Sequence, residues 1–415
     1  MIEIPSVFVT VLSILRFLLL SISIINFAIW FISLYFRLEK KVYVKPSGKP
    51  NPEHVSICVP LYNEKYQSIM TTVKSIAAQT YPKKKFEIVF IVEPNDVQTK
   101  KNIKPLHKFL ADKGLCYRIV ESDGKVKLKA HALNYALKTI KSPIICVYDA
   151  DDIFPESQVE EAVMLIEEGY DAVAVRVYRY RNTILGSLLN LDTYMWYNIF
   201  VPFFKVVGKS FPFSGEGLFV RTDILNAVGG FPEVLTEDGY LSILLAENGS
   251  KLGLLDSEVE ELAPKNLKNN IKQRLRWNRG YTQCLQRLVK AKLSIKEKLP
   301  LLLAYWAPIM CGLSVITAIA YIFIDSWMFV LADFITPWIR ALFSAWDTTL
   351  LFVVFVAYLI TMTLMYLIST LISEKRFKQL SPYILLLPLY WTYLGFIALG
   401  TPFVSTQKWF KTERR

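Results

Sequence analysis

The chain is poor in cysteine and histidine. Its five cysteines in 415 residues (58, 116, 146, 284 and 311) include no Cys-x-x-Cys pair, and its three histidines show no metal-ligand spacing. A small disulfide scaffold and a thiolate- or imidazole-built zinc centre are therefore excluded, and the cysteines read as buried thiols. Also missing are Gly-x-x-x-x-Gly-Lys-Ser/Thr and any Gly-x-Gly-x-x-Gly after a strand. Neither a P-loop nor a dinucleotide fingerprint is there to cradle phosphate. Charge is sparse as well: charged residues make 20% against 53% hydrophobic, with 26 Phe, 22 Tyr and 9 Trp. That apolar content rules out disorder. It fits an all-soluble chain poorly and indicates a membrane protein with a substantial soluble part.

What is present is unevenly placed. Phe17–Phe36 is an uncharged run of 20 residues, and Leu299–Ile324 and Thr348–Ser373 are uncharged over 26 residues each. At about 1.5 Å per residue each can span a hydrocarbon core of about 30 Å. The first run is too long for a cleaved signal and lacks a small-residue cleavage site, so residues 1–37 read as a retained anchor. Segment 379–407 is also uncharged but carries Pro388, Gly395, Gly400 and Pro402, which read as interruptions. Basic clusters follow the first run (Arg37 to Lys49), the third (Glu374 to Lys378) and close the chain (Lys408 to Arg415). The positive-inside rule then places these clusters in the cytoplasm and the N-terminus outside. Segment 380–406 is left to enter and return or to lie in the interface. The net charge of +12 is accounted for by these flanks facing anionic lipid, and nucleic acid is not an expected partner.

The soluble part, residues 53–263, reads as alternating strands and helices. Val55–Pro60, Glu87–Glu93, Cys116–Glu121 and Pro143–Tyr148 are apolar strand-like runs. Helical patterns cover Tyr66–Gln79, 98–113 and Ala130–Ile140. Buried strands separated by helices indicate an α/β fold with a mostly parallel sheet, whose ligands bind at the carboxyl ends of the strands. Acids follow the strands at those ends: Glu64 after the first, Glu93 and Asp96 after the second, and Asp149, Asp151 and Asp152 after Tyr148. Carboxylates crowded at one sheet edge repel one another unless a cation sits among them. Asp149-Ala-Asp151 suits a hard divalent ion bridging phosphate oxygens, or, more blandly, a turn before Pro155. Lys129 opens a helix as a possible phosphate partner or a solvated lysine.

Further on, Thr236-Glu-Asp238 precedes the apolar run Leu241–Ala246. It reads as a helix start with Thr236 as cap, or as the carrier of a general base. Gln273-Arg-Leu-Arg276-Trp277 lies in a basic helix from about Pro264 to Lys292, within a region 264–298. Gln273, Arg276 and Trp277 share one face, suited to an aromatic stacked on a sugar beside a phosphate. Six Lys and Arg between 265 and 279 also suit a helix on a membrane surface.

Taken in order, Val59-Pro-Leu-Tyr-Asn-Glu64, Glu93-x-x-Asp96, Lys129-x-x-Ala-Leu-Asn134, Asp149-Ala-Asp151, Ser214-Gly-Glu-Gly-Leu-Phe-Val-Arg221, Thr236-Glu-Asp238, Gln273-x-x-Arg276-Trp277 and the closing Trp409-x-Lys-Thr-x-Arg414 form a set. It resembles the membrane-bound family-2 glycosyltransferases, which include cellulose, hyaluronan and chitin synthases and lipid glucosyltransferases. The resemblance implies a GT-A catalytic domain at 53–263 on the cytoplasmic face, membrane helices within 299–407 and a basic cytoplasmic tail at 408–415. It implies an inverting transfer of a hexose or N-acetylhexosamine from a UDP-sugar, with Mg2+ or Mn2+, to a growing β-linked glycan. A lipid acceptor is the alternative, and membrane lipids are partners in both cases. By position it implies that Pro60, Tyr62, Glu64 and Asp96 form the uridine side. Lys129 and Asp149 match diphosphate and uridine contacts, Gln273 and Arg276 also bind the nucleotide sugar, and Asp151 is the metal ligand. Glu237 and Trp277 then face the acceptor, and Asp238 is the base. The second strand departs from the family by ending Glu93-Pro-Asn-Asp96 instead of Asp-Asp-Gly-Ser. A silent membrane scaffold would have no need of Asp151, Asp238 and Arg276, all present. A nucleotidyltransferase would have no need of Gln273-x-x-Arg276-Trp277.

Overall fold

The computed structural model describes residues 42–48, 51–307, 363–371 and 377–403, with isolated positions between 21 and 36 and at 309, 356 and 360. Much of the runs Phe17–Phe36, Leu299–Ile324 and Thr348–Ser373 lies outside the described residues, as does all of the motif from Trp409 to Arg414.

Seven strands form one sheet in the order β3-β2-β1-β4-β6-β5-β7. The four expected runs become β1 (Val55–Leu61), β2 (Phe86–Val92), β3 (Cys116–Glu121) and β4 (Ile144–Val147). They pair in parallel, β1 with β2 and β4, and β2 with β3. The Val- and Ile-rich sequences of β1, β2 and β4 suit strands buried on both faces, while β3 is the edge strand and buries only Val120. The second half adds β5 (Ala172–Tyr180), β6 (Leu218–Arg221) and β7 (Leu252–Leu262). Here β5 and β7 are parallel, while the four-residue β6 runs antiparallel between β4 and β5. The sheet is mostly parallel, as expected, with one reversed strand.

The helices depart from the sequence reading in three places, each for a local reason. The single helix expected over 98–113 is two, α2 (Val97–Ile103) and α3 (Leu106–Asp112), separated at Pro105. Proline lacks the N–H that would continue the helix. Asp96 caps α2 by accepting from Thr99 N at 2.9 Å. Helix α1 (Tyr66–Ala77) precedes them, and α4 (Lys129–Leu137), α5 (Gln158–Glu167) and α6 (Ile184–Met195) follow at their places between strands.

The run after Thr236 forms α7 (Glu237–Glu247). Thr236 holds the cap position, but its hydroxyl lies 3.5 Å from Cys284 Sγ instead of capping. Thr236 packs against α8 (Leu267–Lys290) where Gly280 has no side chain; a Cβ there would come within 2.4 Å of Thr236.

Pro388 and Gly395 do not interrupt the C-terminal segment. Pro388 occupies the first turn of α9 (Leu387–Gly400), where no N–H is needed, and Gly395 lies inside the continuous helix. A 3-10 turn at Ser381–Leu386 leads into it. Ser381–Gly400 is, among the described residues, one helix of 20 residues with a mean hydropathy of 1.6, long and apolar enough to cross a bilayer.

The six basic residues expected on a membrane face of α8 divide. Lys265, Lys268 and Lys272 are exposed, whereas Arg274, Arg276 and Arg279 are partly buried against the protein.

Candidate active site

The carboxyl ends of β1, β2 and β4 lie side by side, and the loops that leave them carry the expected donor-side residues. The loop after β1, with Tyr62 and Glu64, is fixed from α2. Asn63 N and Thr99 Oγ1 donate to Asp96 Oδ2, Thr99 N donates to Asp96 Oδ1, Glu64 N donates to Thr99 Oγ1 at 2.8 Å, and Asn102 Nδ2 donates to Glu64 O at 2.7 Å. Asp96 is thus committed to holding this loop. Pro60 lies one residue before the end of β1, and Pro60, Tyr62 and Glu64 are half-buried.

The loop after β4 is pinned by α1. Thr72 Oγ1 donates to Asp149 O at 2.8 Å and accepts from Asp152 N at 2.9 Å, and Asp151 N donates to Ser68 O at 3.1 Å. Asp152 Oδ2 accepts from Asp149 N at 2.7 Å. Asp151 has a left-handed backbone, φ 81°, a conformation that Asp and Asn tolerate better than most residues.

Lys129, at the start of α4, joins this loop to the start of α7. Its Nζ donates to Asp149 Oδ1 at 2.6 Å and to Gly215 O at 3.3 Å, and lies 3.9 Å from Glu237 Oε1. A Cβ on Gly215 would stand 3.7 Å from Asp238 Oδ2. Lys129, Asp149, Glu237 and Asp238, up to 109 positions apart in sequence, therefore converge. Burial disfavours the charge on Lys129, but Asp149, Glu237 and Glu216 more than compensate and hold it above the ordinary lysine value. Burial also raises Asp238, against the Gly239 N–H, Lys129, Arg276 and Arg179, and pushes Glu237 up to about 7. Gln273, Arg276 and Trp277 come in on α8. Arg276 Nη1 donates to Leu235 O at 3.0 Å, steadying the strand of chain that leads to Asp238.

Three site residues carried no assigned role in the sequence. Glu216 lies in the Ser214-to-Arg221 motif. Glu261, at the end of β7, is fully buried and ion-paired with Arg179 of β5. Arg179 in turn covers the Trp277 ring at 4.8 Å. A charged pair at the ends of two adjacent buried strands was the only sequence signal for them.

A divalent cation suits this donor set. Asp152 is raised well above the ordinary range by burial and by Asp149, Glu216, Glu261 and Asp151. Its Oδ1 is buried without a hydrogen-bond partner. Among the described residues no group of three acids, histidines or cysteines could hold an ion alone.

The same crowding makes stability pH-dependent. Burial, Glu261 and Asp149 push Glu216 from the ordinary 4.5 up to about 8. Between those values the folded protein binds more protons than the unfolded chain, so stability falls as pH rises through that window. The melting temperature of the metal-free protein should drop from pH 6 to pH 8, and Glu216→Gln should flatten the slope. An equal slope in the variant would assign it to other groups.

Comparison with known proteins fits this geometry. The chain is 24% identical over 278 residues to the probable glycosyltransferase YdaM of Bacillus subtilis, covering 64% of each chain. It is 22% identical over 254 residues to the hyaluronan synthase of Streptococcus pyogenes, covering 58% of this chain and 60% of that one. It is also 22% identical over 274 residues to cellulose synthase 2 of Novacetimonas hansenii, covering 64% of this chain but 16% of that protein. The match thus spans less than two thirds of each relative. Among solved structures, a mannosyltransferase from Pyrobaculum calidifontis, in complex with GDP-Man and Mn2+, superposes with a TM-score of 0.60 at 20% identity. The superposition covers 94% of this chain and all of the other, and the shared fold is the GT-A arrangement expected from the motifs. Residues 50–280, more than half of the chain, match the model of glycosyltransferase-like family 2, and the chain belongs to that family.

Proposed function

We propose that this protein is an inverting membrane glycosyltransferase that moves a hexose or N-acetylhexosamine from a UDP-sugar to the hydroxyl of a growing β-linked glycan. The observation that carries this is Lys129, which bridges Asp149 on the donor side to Glu237, next to Asp238, on the acceptor side. One buried cation then touches both halves of a transfer reaction.

Pro60, Tyr62, Glu64 and the loop held by Asp96 receive the uridine. Lys129, already oriented by Asp149, and Arg276 supply positive charge to the leaving diphosphate. Gln273 binds on the same side. Asp238 accepts the proton from the attacking acceptor hydroxyl, with Glu237 and Trp277 holding that acceptor. A Mg2+ or Mn2+ ion on Asp151 would supply Lewis-acid neutralisation of the diphosphate charge.

The catalytic domain, residues 53–263, faces the cytoplasm, where nucleotide sugars are made, with 1–37 and 299–407 in the membrane. A lipid acceptor is the second reading. It is favoured by a cavity of about 670 Å3 beside α8 whose walls include both polar Asn278, Thr282 and Gln283 and apolar Ile309, Ala398 and Pro402.

Labelled UDP-glucose, UDP-N-acetylglucosamine and GDP-mannose, each incubated with the purified chain in lipid, test the reading. Transfer from a UDP-sugar into high-mass, solvent-insoluble product is expected. Label in the organic phase selects the lipid acceptor, and exclusive use of GDP-mannose overturns the uridine assignment. No transfer from any donor overturns the function.

A further inference from the structure

Helices α8 and α9 meet along a polar seam. Asn270, Arg274 and Asn278 stand four residues apart and so share one face of α8. Each reaches α9 or the turn that follows it. Tyr393 Oη donates to Asn270 Oδ1 at 2.7 Å, Arg274 Nη2 donates to Tyr390 Oη at 2.9 Å, and Asn278 Nδ2 donates to Thr401 Oγ1 at 3.2 Å.

The middle rung is the charged one. Arg274 Nη2 also donates to Asp192 Oδ2 of α6 at 2.5 Å, and Tyr390 Oη donates to the same oxygen at 3.3 Å. Three helices therefore close one ring of hydrogen bonds. Packing an apolar helix does not require such a ring, since even a partly buried ion pair carries a desolvation cost that apolar groups of the same shape would avoid. The Arg274 guanidinium also lies over the Trp277 ring, 5.1 Å from its centre.

Close by, four polar atoms within seven residues of α8 are buried without a hydrogen-bond partner among the described residues: Asn270 Nδ2, Gln273 Oε1, Arg274 Nε and Arg276 Nε. Gln273 itself is 2% exposed. Such atoms are rare in folded proteins.

We infer that Arg274 is a positioning residue for the acceptor: clamped by Asp192 and by Tyr390 of the apolar helix, it fixes the Trp277 ring on which the acceptor rests. The inference builds on the acceptor role proposed above for Trp277. It makes the seating of α9 and the binding of acceptor mutually dependent, because each biases the same ring of hydrogen bonds.

Tyr390→Phe removes one hydroxyl and keeps the aromatic ring, so it tests the clamp with little change in packing. The full chain in lipid is assayed with the sugar donor it turns over and n-octyl β-D-glucoside as the acceptor probe. The acceptor KM should rise about tenfold, the scale of one lost hydrogen bond to a charged group. Donor KM and the rate of donor hydrolysis should stay within about twofold. Arg274→Lys should raise the acceptor KM at least as much, since an ammonium cannot replace a planar fork over a ring. The double variant should be no worse than Arg274→Lys alone.

A readout without turnover is acrylamide quenching of Trp277, taken as the difference between proteins with and without Trp277→Phe. Quenching should increase in Tyr390→Phe. Unchanged quenching, an unchanged acceptor KM, or a parallel rise in donor KM from general loosening of the fold overturns the inference. A wild-type protein that turns over no donor removes the proposed function with it. Wild-type transfer that is indifferent to Tyr390→Phe removes this inference alone.

Discussion

Asp238→Asn should lower transfer by about 10²-fold or more, the contribution of a positioned base, while UDP-sugar binding and melting temperature stay near wild type. An acceptor hydroxyl is a weak nucleophile at neutral pH, and the other acids near it are committed. Asp149 is ion-paired with Lys129, and Asp152 holds the turn between them. Asp238 Oδ1 accepts from Gly239 N at 2.8 Å, and an asparagine Oδ1 can accept the same bond. The substitution therefore removes basicity and little else. A helix-cap role for Asp238 predicts the opposite, with normal turnover, because Asn serves a helix start about as well as Asp. The pH profile gives a second check. Burial raises both Asp238 and Glu237, the latter to about 7. Activity should thus rise with pH through an apparent value above the ordinary carboxylate range, one that belongs to the adjacent pair and not to either acid alone. Normal turnover in Asp238→Asn with loss of activity in Glu237→Gln would move the base by one residue.

How far the sequence reveals the fold differs along the chain. The runs that became β1, β2, β3 and β4 end within two residues of their expected bounds; in β1, β2 and β4 the dense apolar residues in short segments leave few alternatives to a buried strand. The reversed β6 was not legible: four residues, Leu218–Arg221, are too few to show a period, and their direction is set only by pairing with β4 and β5. Glu261 was hidden for a different reason. Ser257-Glu-Val-Glu-Glu261 alternates like a half-exposed strand, and Arg179, brought alongside by β5, supplies an ion-pair partner for the buried carboxylate.

Among the motif residues, Lys129, Asp149, Glu237 and Asp238 converge in space. Asp96, expected on the uridine side, also accepts from Asn63 and Thr99, contacts that its neighbours Pro94 and Asn95 do not foretell. The Arg274 clamp could not be read at all, since Tyr390 lies 116 residues beyond it.

Removal of divalent cation should abolish transfer, and Mn2+ or Mg2+ should restore it through Asp151. Without a P-loop, the positive charge proposed to face a leaving diphosphate comes from Lys129 and Arg276, and Lys129 is already shared between Asp149 and Glu237. The surrounding acids meanwhile raise one another, so the site without an ion is short of positive charge on both counts. Asp151→Asn is the informative variant. Asparagine accepts the left-handed backbone at φ 81°, whereas alanine would add strain unrelated to the metal. Transfer should fall by about 10²-fold or more, since several kcal/mol of charge stabilisation is lost. The loss should persist at saturating Mn2+. Melting provides a readout independent of turnover. At pH 8, where Glu216 begins to ionise, Mn2+ should raise the melting temperature of the wild type by mass action and leave that of Asp151→Asn nearly unchanged. Full activity in EDTA, or an equal Mn2+ shift in both proteins, would mean that Asp151 does not hold the ion and that the crowded carboxylates serve some other cation.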